Sequence, residues 1–246
     1  MKTKRYTLSA FCFVCLVTAA VLFVHEACAA PKLVRVLQLQ QTHVYLGKTR
    51  VLLTPQALRF DGLGKFRFTL IARSPKWQVT AFRTEERISF TQSFSEFCDQ
   101  GLFSNMVMPQ RDNTLMPGGA KFLQKVSGFP VQQIRLPSTM LKYMIDTSYA
   151  APRAAAFFHS AYRVPTEGHI PIEFEVMMMG KDWMTNLNDQ GQRRTILETD
   201  KISLDNVPLT EFEIPRGLAQ AKSMTRIVVG DTKKMKDTGV GDLFHF

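Results

Sequence analysis

From residue 42 to residue 90 the chain is a succession of short β-like runs cut by turn residues, and in the runs at 66–70 and 77–81 apolar and polar side chains alternate with a period of two. Successive side chains of a strand point to opposite faces, so this alternation predicts a sheet with one apolar and one polar side. Val44-Tyr45-Leu46 leads into Gly47-Lys48, and Arg50-Val51-Leu52-Leu53 into Pro55-Gln56. Leu58-Arg59-Phe60 stops at Asp61-Gly62 and Gly64, residues 66–72 stop at Ser74-Pro75, and runs at 77–83 and 87–90 follow. Regular short strands with tight punctuation predict an antiparallel meander rather than alternating βα units. Within it, Phe66, Phe68 and Leu70 oppose Arg67 and Thr69, while Trp77, Val79 and Ala81 oppose Gln78 and Thr80. A sheet of this type can leave its polar face to water, but its apolar face needs a cover.

Helices able to supply that cover are few. Residues 94–102 predict a short helix, and residues 140–145 another. The strongest candidate opens at Pro152, which suits a first helical turn. It places Ala154, Phe157, Phe158, Ala161 and Tyr162 at spacings of three and four, one apolar stripe. The stripe is expected to plug the concave side of the sheet; as a movable lid it would instead close a lipid-sized cavity. Beyond Pro165, Gly168 and Pro171, residues 172–179 read as a long strand. Ile172, Phe174, Val176 and Met178 share one face, opposite Glu173, Glu175 and Met177. Residues 195–204 are its return strand, after a polar loop with Asn186, Asn188, Asp189 and Gly191. Residues 206–217 read as an extended crossing that anchors Phe212. From Gly230 the chain is rich in Lys, Asp and Gly, the composition of a flexible tail.

Three of the four cysteines lie in the first 28 residues, inside a stretch that reads as an export signal. Lys2, Lys4 and Arg5 give it a positive start, residues 8–24 an apolar run, and Ala27-Cys28-Ala29 a small-x-small exit. Cleavage after Ala29 is expected. Lipid attachment at Cys28 usually wants an aliphatic residue three positions upstream, where His25 stands. A retained anchor would need about 20 apolar residues, slightly more than this run supplies. The expected division is a signal peptide over 1–29, a folded domain over 30–228 and a flexible basic tail over 229–246, with the mature protein in the periplasm. That mature chain is long enough for one medium domain with a real core. It keeps one thiol, Cys98, so no internal disulfide supports it and Cys98 reads as a small, partly buried hydrophobe.

The mature chain carries 28 basic and 20 acidic residues, a surplus that suits anionic partners. The basic residues are scattered, with Lys233, Lys234 and Lys236 the tightest group, and no basic-aromatic motif of an RNA-recognition sheet or zinc finger is present. Nucleic acid is therefore not an expected partner; the surplus reads first as a generally solvated basic surface and second as weak attraction to an anionic membrane face. No Gly-x-Ser-x-Gly elbow, P-loop, dinucleotide fingerprint or His-Glu-x-x-His motif occurs. His169 and Glu173 are four apart with Pro171 between them, and read as a solvated strand entrance rather than a metal pair. Glu85-Glu86 falls in a turn and Glu173/Glu175 on a polar sheet face, with no reason visible for a raised pKa. No enzyme, cofactor or metal is expected.

A series of softer motifs runs through residues 40–228. These are Gly47-Lys48-Thr49-Arg50-Val51, Leu58-Arg59-Phe60-Asp61, Gly128-Phe129-Pro130-Val131 and Gly168-His169-Ile170-Pro171-Ile172, then Glu198-Thr199-Asp200-Lys201-Ile202, Val207-Pro208 and Phe212-Glu213-Ile214-Pro215-Arg216-Gly217. In this order they resemble the LolA/LolB-like group of periplasmic proteins. The resemblance implies an α+β fold: a strongly curved antiparallel sheet, an unclosed half-barrel, with a few helices covering its concave face. It implies a lipid or acyl chain in an apolar groove, and a possible role in carrying envelope lipoproteins. The residues expected to line that groove are Phe66, Phe68, Leu70, Trp77, Val79, Phe174 and Val176, with Phe157 and Phe158 from the covering helix. The alternative is a structural or interaction protein of the cell envelope whose cavity is filled by its own side chains. An enzyme built on the same half-barrel would need His159, His169, Glu173 or Cys98 gathered in one cleft.

Overall fold

The computed structural model describes residues 31–102, 119–146, 148–178 and 191–231. The expected leader, Asn186, Asn188 and Asp189 of the polar loop, and the tail beyond Asp231 lie outside the described residues. The fold is α+β, built on one large mixed sheet that does not close. β1 (Leu33–His43), β2 (Gly47–Leu53), β3 (Ala57–Gly62), β4 (Phe68–Arg73), β5 (Val79–Arg83) and β6 (Ile88–Gln92) form a first antiparallel meander. α1 (Phe94–Gln100) follows. β7 (Ala120–Val126), β8 (Phe129–Arg135) and β9 (Thr139–Met144) then lead through α2 (Ala154–Tyr162) to β10 (Ile170–Met177) and the long β11 (Arg193–Pro208). A 3-10 turn (Leu209–Phe212), β12 (Ala219–Gln220) and α3 (Met224–Val229) finish the described chain.

The strand order is β12-β6-β5-β4-β3-β2-β1-β11-β10-β9-β8-β7. β1 and β11 thus join the two meanders, and β12 lies parallel along the outer edge of β6. Register fixes the faces. Leu39 stands opposite Val51, Val51 opposite Phe60, Phe60 opposite Leu70 and Leu70 opposite Ala81, so all five share the inner face. They belong to one large core that also takes in Phe157, Phe158, Phe174 and Val176. The outer face is not simply wet. Val36, Leu52, Ala57 and Phe212 form a second, smaller core there, sealed by the 3-10 turn.

α1 and α2 lie over the inner face, and local contacts bound α1. Ser93 caps α1: its hydroxyl accepts from the Glu96 amide at 3.1 Å, while Glu96 accepts from the Ser93 amide at 2.7 Å. α1 stops at Gly101, whose φ of +66° and close neighbours admit no side chain; an added Cβ would lie 2.6 Å from the Ser160 carbonyl oxygen. α2 buries Ala154, Phe157, Phe158, Ala161 and Tyr162, the stripe predicted for it. Burying a Phe contributes about 1.5–3 kcal/mol relative to exposure, and this amphipathic packing is what keeps so short a helix in place. Ser160 and Arg163 tie α2 to α1 by donating to the carbonyls of Cys98 (3.3 Å) and Gln100 (2.6 Å).

Several elements differ from expectation. The helix predicted over 140–145 is absent: residues 140–144 belong to strand β9, where Met140, Leu141, Tyr143 and Met144 are all buried, so both faces are apolar and no period of two remains to read. Phe66 and Trp77 lie in the turns just before β4 and β5 rather than in the strands, and Trp77 has φ of +53°. Val229, placed in the flexible tail by sequence, closes α3 and is buried against the main core. That helix is held by Arg83, whose Nη1 donates to the carbonyls of Ile227 (3.1 Å) and Val228 (3.2 Å).

Candidate functional site

The nine residues predicted to line an apolar groove are brought together, but as core. Phe66, Phe68, Leu70, Val79, Phe157, Phe158, Phe174 and Val176 are buried members of the main cluster, and half-buried Trp77 packs against it. Aromatic rings carry the contact between helix and sheet. Phe157 stacks on Phe97 of α1 with centroids 4.9 Å apart and meets Phe60 of β3 at 5.9 Å. Tyr162 lies 5.5 Å from Phe60, 5.8 Å from Phe158 and 5.1 Å from the His43 ring. Such offset and tilted pairs add about 0.5–1.5 kcal/mol each beyond the area they bury.

Beneath these rings runs a buried polar chain that sequence reasoning missed. The Tyr162 hydroxyl donates to Gln41 Oε1 at 3.0 Å and lies 2.7 Å from Thr49 Oγ1. Gln41 Nε2 donates to the Pro171 carbonyl (3.0 Å) and to Thr199 Oγ1 (2.9 Å), and Thr199 donates to the Ile172 carbonyl (2.7 Å). Four elements, β1, β2, β10 and β11, are thereby linked to the last turn of α2. Burial disfavours the phenolate and pushes the Tyr162 pKa well above its ordinary value, so the hydroxyl stays a donor. Swinging α2 away would strip Gln41 and Thr49 of a partner in the interior, at about 1–3 kcal/mol for each group left unpaired.

The outer face carries a cleft of about 400 Å³, lined by Arg50, Arg59, Asp61, Phe68, Thr69, Phe82 and Arg83 among others. Its chemistry is closed on itself. Buried Asp61 accepts from Arg50 Nε (2.9 Å), Arg59 Nε (2.9 Å) and Thr69 Oγ1 (2.8 Å). Glu211, from the 3-10 turn, pairs with Arg50 (3.1 Å) and Arg59 (2.9 Å), and its own carbonyl accepts from Arg59 Nη1 at 2.6 Å. Burial works against the charge of Arg50, but Asp61 and Glu211 outweigh it and hold its pKa above the ordinary value. Two guanidinium groups and two carboxylates balance, leaving a latch between β2, β3 and the 3-10 turn instead of an anion receptor.

The groups with catalytic potential make local contacts. Among the described residues, no three His, Cys, Asp or Glu side chains gather to hold a metal ion. Burial pushes the Cys98 thiol pKa up despite a contribution from Ser160, which leaves little nucleophilic thiolate. His159 Nδ1 lies 2.9 Å from the Val164 carbonyl in a helix-end turn, and the His169 ring stacks on Tyr143 at 4.6 Å. Glu173 pairs with Lys142 at 2.6 Å.

The open end of the sheet is a different surface. β7 is exposed at six of its seven positions, with Phe122 and Leu123 at 52% and 77% exposure. Residues 119–145 contain Lys121, Lys125, Arg135 and Lys142 but no carboxylate.

The chain matches no protein-family model and no curated protein.

Proposed function

We propose that this protein is a non-catalytic component of the cell envelope that acts by surface contact, its half-barrel hollow filled by its own α2 helix. One observation carries the reading: Phe157, Phe158 and Tyr162, the side chains a lid would have to withdraw, are buried among the rings of the sheet and of α1. The polar chain through Gln41 and Thr49 adds a second tether. Delivery outside the cytoplasm rests on the apolar leader and its Ala27-Cys28-Ala29 exit.

Native mass spectrometry of protein purified from its own host, with titration of a fluorescent fatty acid, tests the filled hollow. A ligand-free mass and no saturable uptake are expected. A co-purifying lipid, or uptake displaced by free fatty acid, would restore acyl carriage as the function. N-terminal sequencing of that protein tests export, with Ala30 the expected first residue and an intact Met1 the contrary result.

A further inference from the structure

We infer that the β7–β9 end of the sheet docks on an anionic phospholipid bilayer, with Leu123 and Phe122 entering the headgroup region between lysines. This names the contact surface and so rests on the surface-contact reading above. Register places Lys121, Leu123 and Lys125 on one face of β7; Lys125 stands opposite Pro130, and the Ile145 amide donates to the Pro130 carbonyl at 3.2 Å. Ile145, 39% exposed, therefore belongs to the same face. The other face presents Phe122, with exposed Arg135 opposite Ala120 one pair further along. Both sides of this edge thus offer an apolar side chain beside a cation.

Three features select a bilayer as the occupant. The strands β7–β9 carry four cations and no carboxylate, Asp146 lying just beyond them, and among the described residues only Lys142 of the four has an acidic partner, Glu173. That charge pattern complements an anionic surface. Exposed Leu, Phe and Ile amid those cations match the mixed chemistry of an interface better than that of a soluble polyanion. Depth is limited as well. As the outermost strand among the described residues, β7 has an outer side whose backbone groups water and headgroups satisfy and hydrocarbon does not, so insertion stays shallow.

Co-sedimentation of the purified full chain tests this, with vesicles of phosphatidylcholine alone or mixed equally with phosphatidylglycerol. Binding to the mixed vesicles only, weakening with added salt, is expected. A surface lysine contributes roughly fivefold to partitioning, so K121Q/K125Q should lose about 25-fold. Leu123→Ser should lose roughly tenfold. The control K65Q/K76Q removes the same charge from exposed positions elsewhere and should change little. All of these positions are exposed, and unchanged thermal melts will verify folding. Equal losses in the two lysine pairs would reduce the effect to net charge and overturn the proposal, as would absence of binding to mixed vesicles. A failure here with no fatty-acid uptake removes only the docking surface; fatty-acid uptake removes the filled hollow instead.

Discussion

The hydroxyl of Tyr162 lies 2.7 Å from that of Thr49, a residue 113 positions earlier, and both are buried. This contact joins the last turn of α2 to the second strand of the sheet. Tyr162→Phe should destabilise the fold by about 1–3 kcal/mol, because Gln41 Oε1 and Thr49 Oγ1 each lose a partner inside the core. Thr49→Val should cost a similar amount. The double variant should lose less than the two singles combined, since one shared contact is removed in both. Urea midpoints of the four proteins, with the slopes checked for constancy, measure the coupling.

Phe157→Ala removes a ring packed against Phe60 and Phe97. The expected loss is about 3–5 kcal/mol, from lost transfer energy and from the space left behind. An apolar cavity of that kind stays dry and accepts small apolar guests. Benzene should therefore raise the melting temperature of the variant and leave the wild type unchanged, as read by calorimetry.

Asp61→Asn keeps the shape of the outer-face latch and takes away half of its negative charge. Arg50 and Arg59 then converge with Glu211 as their one remaining anion. A loss of about 3 kcal/mol is expected, as for breaking a largely buried pair from one side. Removing both charges, with Arg59→Met added, should recover part of it. Chemical denaturation of the single and double variants gives the comparison.

Alkaline pH should find Tyr162 last among the tyrosines. Its folded pKa lies above the ordinary value of 10.0 because burial disfavours the anion. The unfolded chain releases that proton first, so the stabilisation is whole below pH 10 and declines as pH rises beyond it. Ultraviolet titration should show one phenol ionising only together with the loss of near-ultraviolet circular dichroism. Tyr162→Phe should abolish that final step.

Legibility in the sequence followed how unevenly each element is buried. β4 was readable because Phe68 and Leu70 enter the core while Thr69 faces Asp61 on the outside. The α2 stripe was readable for the same reason at helical spacing. β1 escaped, since Leu37 and Leu39 serve the inner core while Val36 serves the outer one, and the alternation vanishes. β9 misled in the same way. β7 escaped for the opposite reason: exposed on both faces, its apolar and polar residues obey no period. The contacts of Gln41, Thr49 and Tyr162 span more than a hundred positions, and no local pattern encodes such a meeting.

The two margins of the sheet are unequal. Ala219 and Gln220 lie along β6, with the Ala219 and Ala221 amides donating to the carbonyls of Arg87 (2.8 Å) and Ser89 (2.7 Å). A strip two residues long offers too little ladder to recruit another strand, whereas β7 keeps a seven-residue rail. Among the described residues, lateral joining is therefore favoured at the β7 margin over the partly covered β6 margin. Two copies meeting rail to rail would cover the β7 margin and leave only the shorter, partly covered margin facing outward.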